Sequence, residues 1–323
     1  MRTLMPGRAV GAIAAALAVT VLAGCTIPAP EGQTPLRYRD EVFSAVNATT
    51  DITYGQAPDL QGNPVALKLD LYQPAGDTVA KRPAYVWVHG GGFSHGDKSS
   101  GAGMASFFAR LGYVAVSINY RLLAPLGCAG HLDPSAECRA AAIEAQHDAQ
   151  AAVRWLRRNA ATYRIDPDRI AMGGGSAGAI TSLLVGWRPE DPGSSGNPGF
   201  SSAIRAAVSV SGGVPQDEEG VITAGDAPAL FIHGTEDRAV FYSWAVSNAV
   251  KMLHLGIPVI FEPIDGAGHN LPAEFGPLIR EQSSRFLYYM LDLGHAAGQP
   301  ASAGRAADRQ MAQLSAQLEA LQR

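Results

Sequence analysis

The chain has 323 residues, 47% of them apolar and 17% charged, and a net charge of −4. That length suits one large α/β domain with a full core. No basic patch stands out, which argues against nucleic acid as a partner, and no internal repeat is present.

The first residues read as a targeting segment rather than as part of a fold. Arg2 and Arg8 precede a small, apolar run over 9–23. The run is short for a membrane span and has the length of a signal-peptide core. It ends Leu22-Ala23-Gly24-Cys25, which resembles the bacterial lipoprotein box. That resemblance implies removal of 1–24, lipidation of Cys25 and an exported protein held to a membrane by its acyl chains. A plain secretory signal and an uncleaved anchor are the alternatives. Residues 25–43, with Pro28, Pro30 and Pro35, are expected to form a tether.

The domain is expected over 44–295. Strands are expected over 45–54 and 65–72, the second alternating apolar and polar residues. The dense apolar run 83–88 has the pattern of a buried parallel strand and ends in His89-Gly90-Gly91-Gly92-Phe93. A helix follows over 104–111, then a second buried strand over 113–118. The stretch 122–139 is irregular and carries both remaining cysteines, Cys128 and Cys138. An exported chain matures where disulfides persist, so a local bridge between them is expected, with two free thiols as the alternative.

A long helix is expected over 140–160, a turn over 165–169, and then a strand leading into Gly174-Gly175-Ser176-Ala177-Gly178. Further on come a helix from 177, a Gly/Pro/Ser-rich loop over 187–202 and a strand over 204–210. A strand over 229–232 runs into His233-Gly234-Thr235-Glu236-Asp237. A helix over 240–255 and a strand over 259–262 lead to Gly266-Ala267-Gly268-His269, and a helix over 275–293 closes the domain. Strands alternating with helices predict a doubly wound, mostly parallel sheet covered on both faces. In the tail, 296–323, Met311, Leu314, Leu318 and Leu321 form a short stripe that is marginal as an isolated helix. A frayed or weakly packed helix is expected, with packing on the domain and pairing with another chain, a route to oligomers, as the alternatives.

Gly174-Gly175-Ser176-Ala177-Gly178 fits the G-x-S-x-G pattern, a serine at the apex of a sharp strand-to-helix turn. Side chains at the two flanking glycines would collide with neighbouring backbone. A serine nucleophile needs a base, a group orienting that base, and donors for an oxyanion. The order in this architecture is serine, acid, histidine. Of His233, His254, His269 and His295, His269 best fits the base, because its glycine loop follows a strand end. Asp237 is the expected acid, with Glu236 as runner-up; Asp237 could also cap the next helix. His89-Gly90-Gly91-Gly92 follows a strand, so Gly91, Gly92 and Ala177 are the expected oxyanion donors through their backbone N–H groups. His89 reads as a structural hydrogen-bonder of that loop. No histidine or cysteine pair has zinc-site spacing.

Together, Leu69-Asp70-Leu71-Tyr72, His89-Gly90-Gly91-Gly92-Phe93, Asn119-Tyr120-Arg121-Leu122, Asp148, Asp166-Pro167, the Ser176 elbow, His233-Gly234-Thr235-Glu236-Asp237 and Gly268-His269 resemble the α/β-hydrolase superfamily. Within it, the chain looks like the carboxylesterases of the hormone-sensitive-lipase-like and bifunctional feruloyl/acetyl-xylan-esterase-like groups. The resemblance implies an eight-stranded sheet, hydrolysis of a small-molecule ester through an acyl-enzyme on Ser176, and no cofactor. Gly175 stands where such proteins often carry an acid. Little chain is available for a large cap, so the lid must come from 122–139, 187–202 or the N-terminal region. A small lid suits short or small acyl groups. A peptidase on this fold and a catalytically inactive surface binding protein are the competing readings.

Overall fold

The computed structural model describes residues 35–123, 135–215, 220–271 and 273–294. Among them, eight strands form one sheet in the order β1-β2-β4-β3-β5-β6-β7-β8. The strands are β1 (Val46–Pro58), β2 (Pro64–Pro74), β3 (Arg82–Val88), β4 (Val114–Ile118), β5 (Ile165–Gly175), β6 (Ala206–Val210), β7 (Ala229–Gly234) and β8 (Val259–Ile264). The helices are α1 (Ala102–Leu111), α2 (Ala136–Arg158), α3 (Ala160–Tyr163), α4 (Ala177–Trp187), α5 (Tyr242–His254) and α6 (Gly276–Met290). β2 runs antiparallel to both β1 and β4, and the remaining pairings are parallel.

The burial pattern explains this arrangement. β4, β6 and β7 are buried at every position, as strands covered on both faces must be. Successive residues feed two separate cores. Ala84, Val86 and Val88 of β3 belong to one core with residues of α2, α4 and α5, while Tyr85 belongs to the other, with residues of α1 and α6. β1 lies at the edge and is largely exposed.

The structure redraws three expected boundaries. β5 starts at Ile165, inside the stretch that reads as a turn. Ile165 pairs with Arg82, and the ladder then skips to Ala84 opposite Ile170, so Pro167 falls within the irregularity. A proline cannot donate to a ladder, and a register shift is where it is tolerated. α2 starts at Ala136, earlier than the apolar period suggests, because the Ser135 hydroxyl accepts from Cys138 N at 3.3 Å and caps the helix. Residues 35–43, assigned to the tether, dock on the domain. Arg37 pairs with the buried Asp77 at 2.6 Å, and Tyr38 N donates to the Leu111 carbonyl at 2.7 Å. Tyr38 also meets Tyr113 edge-on.

Residues 1–24, Cys25, Cys128 and the 296–323 tail lie outside the described residues, and Cys138 is buried at the head of α2. No helix of the described residues is long and apolar enough to cross a membrane.

Candidate active site

Ser176, Ala177, Asp237, His269, Gly91 and Gly92 lie just beyond the carboxyl ends of parallel strands, the edge at which open α/β sheets bind ligands. Ser176 follows β5 with φ 54° and ψ −121°. Positive φ is unusual for a non-glycine residue and marks stored strain. The strain is held from both sides. Ser176 N donates to the Val210 carbonyl at 2.9 Å, and the Ser176 carbonyl accepts from Ala179 N and Ile180 N at 2.9 and 3.0 Å. A methyl group on Gly178 would overlap the Val88 carbonyl, and one on Gly174 would overlap the Gly178 backbone. The two flanking glycines are therefore required by close packing of β5, α4 and β3. Gly175 differs, because a Cβ there would meet nothing within 4 Å.

The structure brings Ser176, His269 and Asp237 together. His269 Nε2 lies 2.9 Å from Ser176 Oγ, and its Nδ1 lies 2.8 Å from Asp237 Oδ2. The Asp237 side chain is fully buried, while that of His269 keeps 23% of its exposure. The two loops that carry them are clipped together: Glu236 N donates to the Ala267 carbonyl at 2.9 Å and Thr235 N to the Ile264 carbonyl at 3.0 Å. The runner-up acid, Glu236, is exposed, and His254 ends α5. His295 lies outside the described residues.

Asp237 also has the local role expected of it, at a different place. Its Oδ1 accepts from Ala239 N at 2.9 Å and Val240 N at 3.0 Å, closing the turn before α5 rather than capping the helix, which starts at Tyr242. Burial pushes this carboxyl up, but hydrogen bonds from His233 and His269 outweigh burial and hold it well below the usual carboxylate range.

The loop of Gly91 and Gly92 presses on the elbow: a Cβ on Gly90 would sit 3.2 Å from Ser176 Cβ. Gly91, Gly92 and Phe93 take φ of 115°, 57° and 60° in succession, and a methyl group on Gly91 would strike the His95 carbonyl. Ala177 opens α4, where the first N–H groups have no partner within the helix. His89 behaves as a loop hydrogen-bonder. Its Nδ1 lies 2.7 Å from the Gly90 carbonyl, and its ring stacks on Tyr120 at 4.4 Å. Burial pushes its pKa down.

Sequence reasoning missed the supports. Tyr120 OH donates to the His89 carbonyl at 3.1 Å, and Asn119 Oδ1 accepts from Lys98 N at 2.6 Å. Tyr120 thus props up the glycine loop and Asn119 the segment that follows it, and their position at the end of β4 is the available signal. His233 precedes Asp237 in the chain, against the order serine, acid, histidine, yet its Nε2 lies 3.0 Å from Asp237 Oδ2. Of the lid sources, 124–134 lies outside the described residues. The 187–202 loop is fastened to α2 and β1: Arg154 donates to the Gly196 and Pro192 carbonyls at 2.8 and 2.7 Å, and Gln56 N to the Ser195 carbonyl at 3.0 Å.

A serine hydroxyl bonded to an imidazole, itself bonded to a buried carboxylate, can lose its proton to the imidazole as it attacks an electrophile. Among the described residues, no cluster of three or more His, Cys, Asp or Glu could hold a metal ion.

The BD-FAE family model matches residues 69–212, from β2 through the elbow to the end of β6. Among curated proteins, Lipase 1 of Geotrichum candidum is 36% identical over 124 residues, covering 37% of this chain and 22% of that protein. "Probable carboxylic ester hydrolase LipM" of Mycobacterium tuberculosis is 32% identical over 183 residues, covering 54% of this chain and 36% of that protein. The match therefore spans little more than a third of these relatives at most. Thermogutta terrifontis esterase 2 phosphorylated by paraoxon superposes with a TM-score of 0.61 at 25% identity, over 78% of this chain and 96% of that one. A truncated carbohydrate esterase from gut microbiota superposes with a TM-score of 0.61 at 20% identity, over 78% of this chain and 98% of that one. The eight-stranded, mostly parallel sheet with helices on both faces is thus the α/β-hydrolase fold of these esterases.

Proposed function

We propose that this protein is a serine carboxylesterase that cleaves small esters through an acyl-enzyme on Ser176. The observation carrying this reading is the continuous hydrogen-bonded series Ser176–His269–Asp237, at 2.9 and 2.8 Å, on a strained elbow. His269 takes the hydroxyl proton as Ser176 Oγ bonds to the ester carbonyl carbon. Asp237 holds the imidazole in the tautomer that leaves Nε2 free to accept. The N–H groups of Gly91, Gly92 and Ala177 receive the oxyanion. The intermediate collapses when His269 returns the proton to the departing alkoxide. Water, deprotonated by His269 in turn, then releases the acid.

Several relatives and neighbours are named as esterases, and one neighbour is an esterase phosphorylated by paraoxon, which supports nucleophilic chemistry here. The reading extends to a preference for short acyl groups, to export with a lipid anchor on Cys25, and to a Cys128–Cys138 bridge.

The test is hydrolysis of p-nitrophenyl acetate, butyrate and palmitate, beside Ser176→Ala. Activity on the two short esters that falls about 10⁶-fold in the variant is expected. A preference for palmitate would overturn the acyl-size reading. A folded protein inert to all three esters and to a fluorophosphonate probe would favour a binding role instead.

A further inference from the structure

His233 is the penultimate residue of β7, is fully buried, and takes no part in the steps above. Its Nε2 lies 3.0 Å from Asp237 Oδ2, the same oxygen that His269 Nδ1 reaches at 2.8 Å. The same Nε2 lies 2.9 Å from the Val240 carbonyl. Its Nδ1 is buried with no hydrogen-bond partner. Two acceptors around Nε2 assign the ring proton there, and Nδ1, facing no acceptor, carries none.

Asp237 therefore receives four donors. Ala239 N and Val240 N occupy Oδ1, and the two imidazoles share Oδ2. The carboxylate cannot turn about its Cβ–Cγ bond without losing some of them. The donors differ in what stands behind them. Ala239, Val240 and His269 are carried by loops, whereas His233 belongs to β7, hydrogen-bonded between β6 and β8. A buried imidazole with one idle nitrogen is a costly way to fill space, since an apolar side chain would fill it without an unpaired polar atom. Its donor explains its presence.

We propose that His233 is a positioning residue for the ester-cleaving reaction: its Nε2–H ties Asp237 Oδ2 to the sheet, so that this oxygen meets His269 Nδ1 in the orientation proton transfer needs. The proposal rests on the reading of Ser176, His269 and Asp237 given above.

The experiment compares His233→Gln, His233→Asn and His233→Leu with wild type and Ser176→Ala, with active sites counted by fluorophosphonate. The glutamine amide reaches the position of the imidazole Nε2. The asparagine amide falls one methylene short, and leucine fills the volume without a donor. Loss of orientation alone is expected to lower kcat about 10²-fold in the Leu and Asn variants. KM should stay within about twofold, because substrate binding is untouched. The Gln variant should recover most of the lost kcat. A purely structural role would instead lower the folded fraction and leave kcat per titrated site unchanged.

Wild-type kcat per site in His233→Leu, or equal impairment of the Gln and Asn variants, overturns the proposal. Should the Leu variant not fold, the Gln-to-Asn ratio decides. An inactive wild type, or an active Ser176→Ala, overturns the esterase reading and this proposal with it. A functional Ser176 beside an indifferent His233 overturns this proposal alone.

Discussion

Two fully buried aspartates show how differently one side chain can be used. Asp148 on α2 accepts from Arg121 N at 2.9 Å, from the Arg121 guanidinium at 2.8 Å and from Ser195 Oγ at 2.6 Å. Arg121 reaches further, to the Pro58 carbonyl at 2.9 Å and to Glu144 Oε2 at 2.5 Å. Every direction ends on protein, and the cluster ties α2, β1 and the 187–202 loop to the end of β4. Asp237 is buried as deeply and has as many donors, but one of them is an imidazole 23% exposed whose far nitrogen faces a serine. A closed set of partners makes a brace. A set that opens through one partner towards a serine hydroxyl has the geometry that the proposed proton transfer requires.

Substitutions should separate the two. Asp237→Asn keeps the volume but replaces an oxygen that receives His269 Nδ1–H with a group that can prefer the wrong tautomer. It is expected to lower kcat about 10⁴-fold per folded, titrated site. Steady-state kinetics beside thermal unfolding would check this, and a loss below tenfold would break the comparison.

Arg121→Met should do the reverse. It leaves Asp148 buried without its cation, which costs about 3–5 kcal/mol. Calorimetry should show the melting temperature falling by roughly 10 °C, at about 2–4 °C per kcal/mol for a domain of this size. Turnover per fluorophosphonate-titrated site at 25 °C should match wild type. A selective loss of kcat would make the brace part of the machinery.

Acid sharpens the contrast. Asp237 is held below its unfolded value, because the two histidine hydrogen bonds outweigh burial. The unfolded chain then takes up the proton first. The stability Asp237 contributes is complete above the ordinary carboxylate pKa and is lost as pH falls, from about pH 5 downwards. Wild-type melting temperature should fall more steeply than that of Asp237→Asn between about pH 5 and pH 3. Parallel curves would remove Asp237 from the acid response.

The smallest effect is expected at Gly175. A Cβ at Gly175 meets nothing within 4 Å, so Gly175→Ala should change stability by no more than about 0.5 kcal/mol. Gly178→Ala drives a methyl group into the Val88 carbonyl and should abolish soluble expression or activity. Equal behaviour of the two variants would refute the packing argument.

Much of this was legible in one dimension because the constraints are local. A serine on a turn with φ 54° needs close-packed glycines on both sides, and they appear as Gly174 and Gly178. A buried parallel strand needs a dense apolar run, and the runs before His89 and before the elbow lead to Gly91, Gly92 and Ser176. The order serine, acid, histidine singled out Asp237 and His269 without any distance. The docking of 35–43 could not be read the same way. Three prolines suggest a tether, but Arg37 meets Asp77, 40 positions further along the chain, only once the domain has folded.

The sequence by itself determined the strand and helix alternation, the elbow and the identity of the residues at its edge, because period, turn chemistry and residue type are written residue by residue. Only the tertiary structure decided that His233 shares an oxygen with His269, that the partners of Asp148 form a closed set while those of Asp237 lead through His269 to Ser176, and that residues 35–43 belong to the domain. Those facts depend on side chains far apart in sequence meeting at hydrogen-bond range, and no local pattern records such meetings.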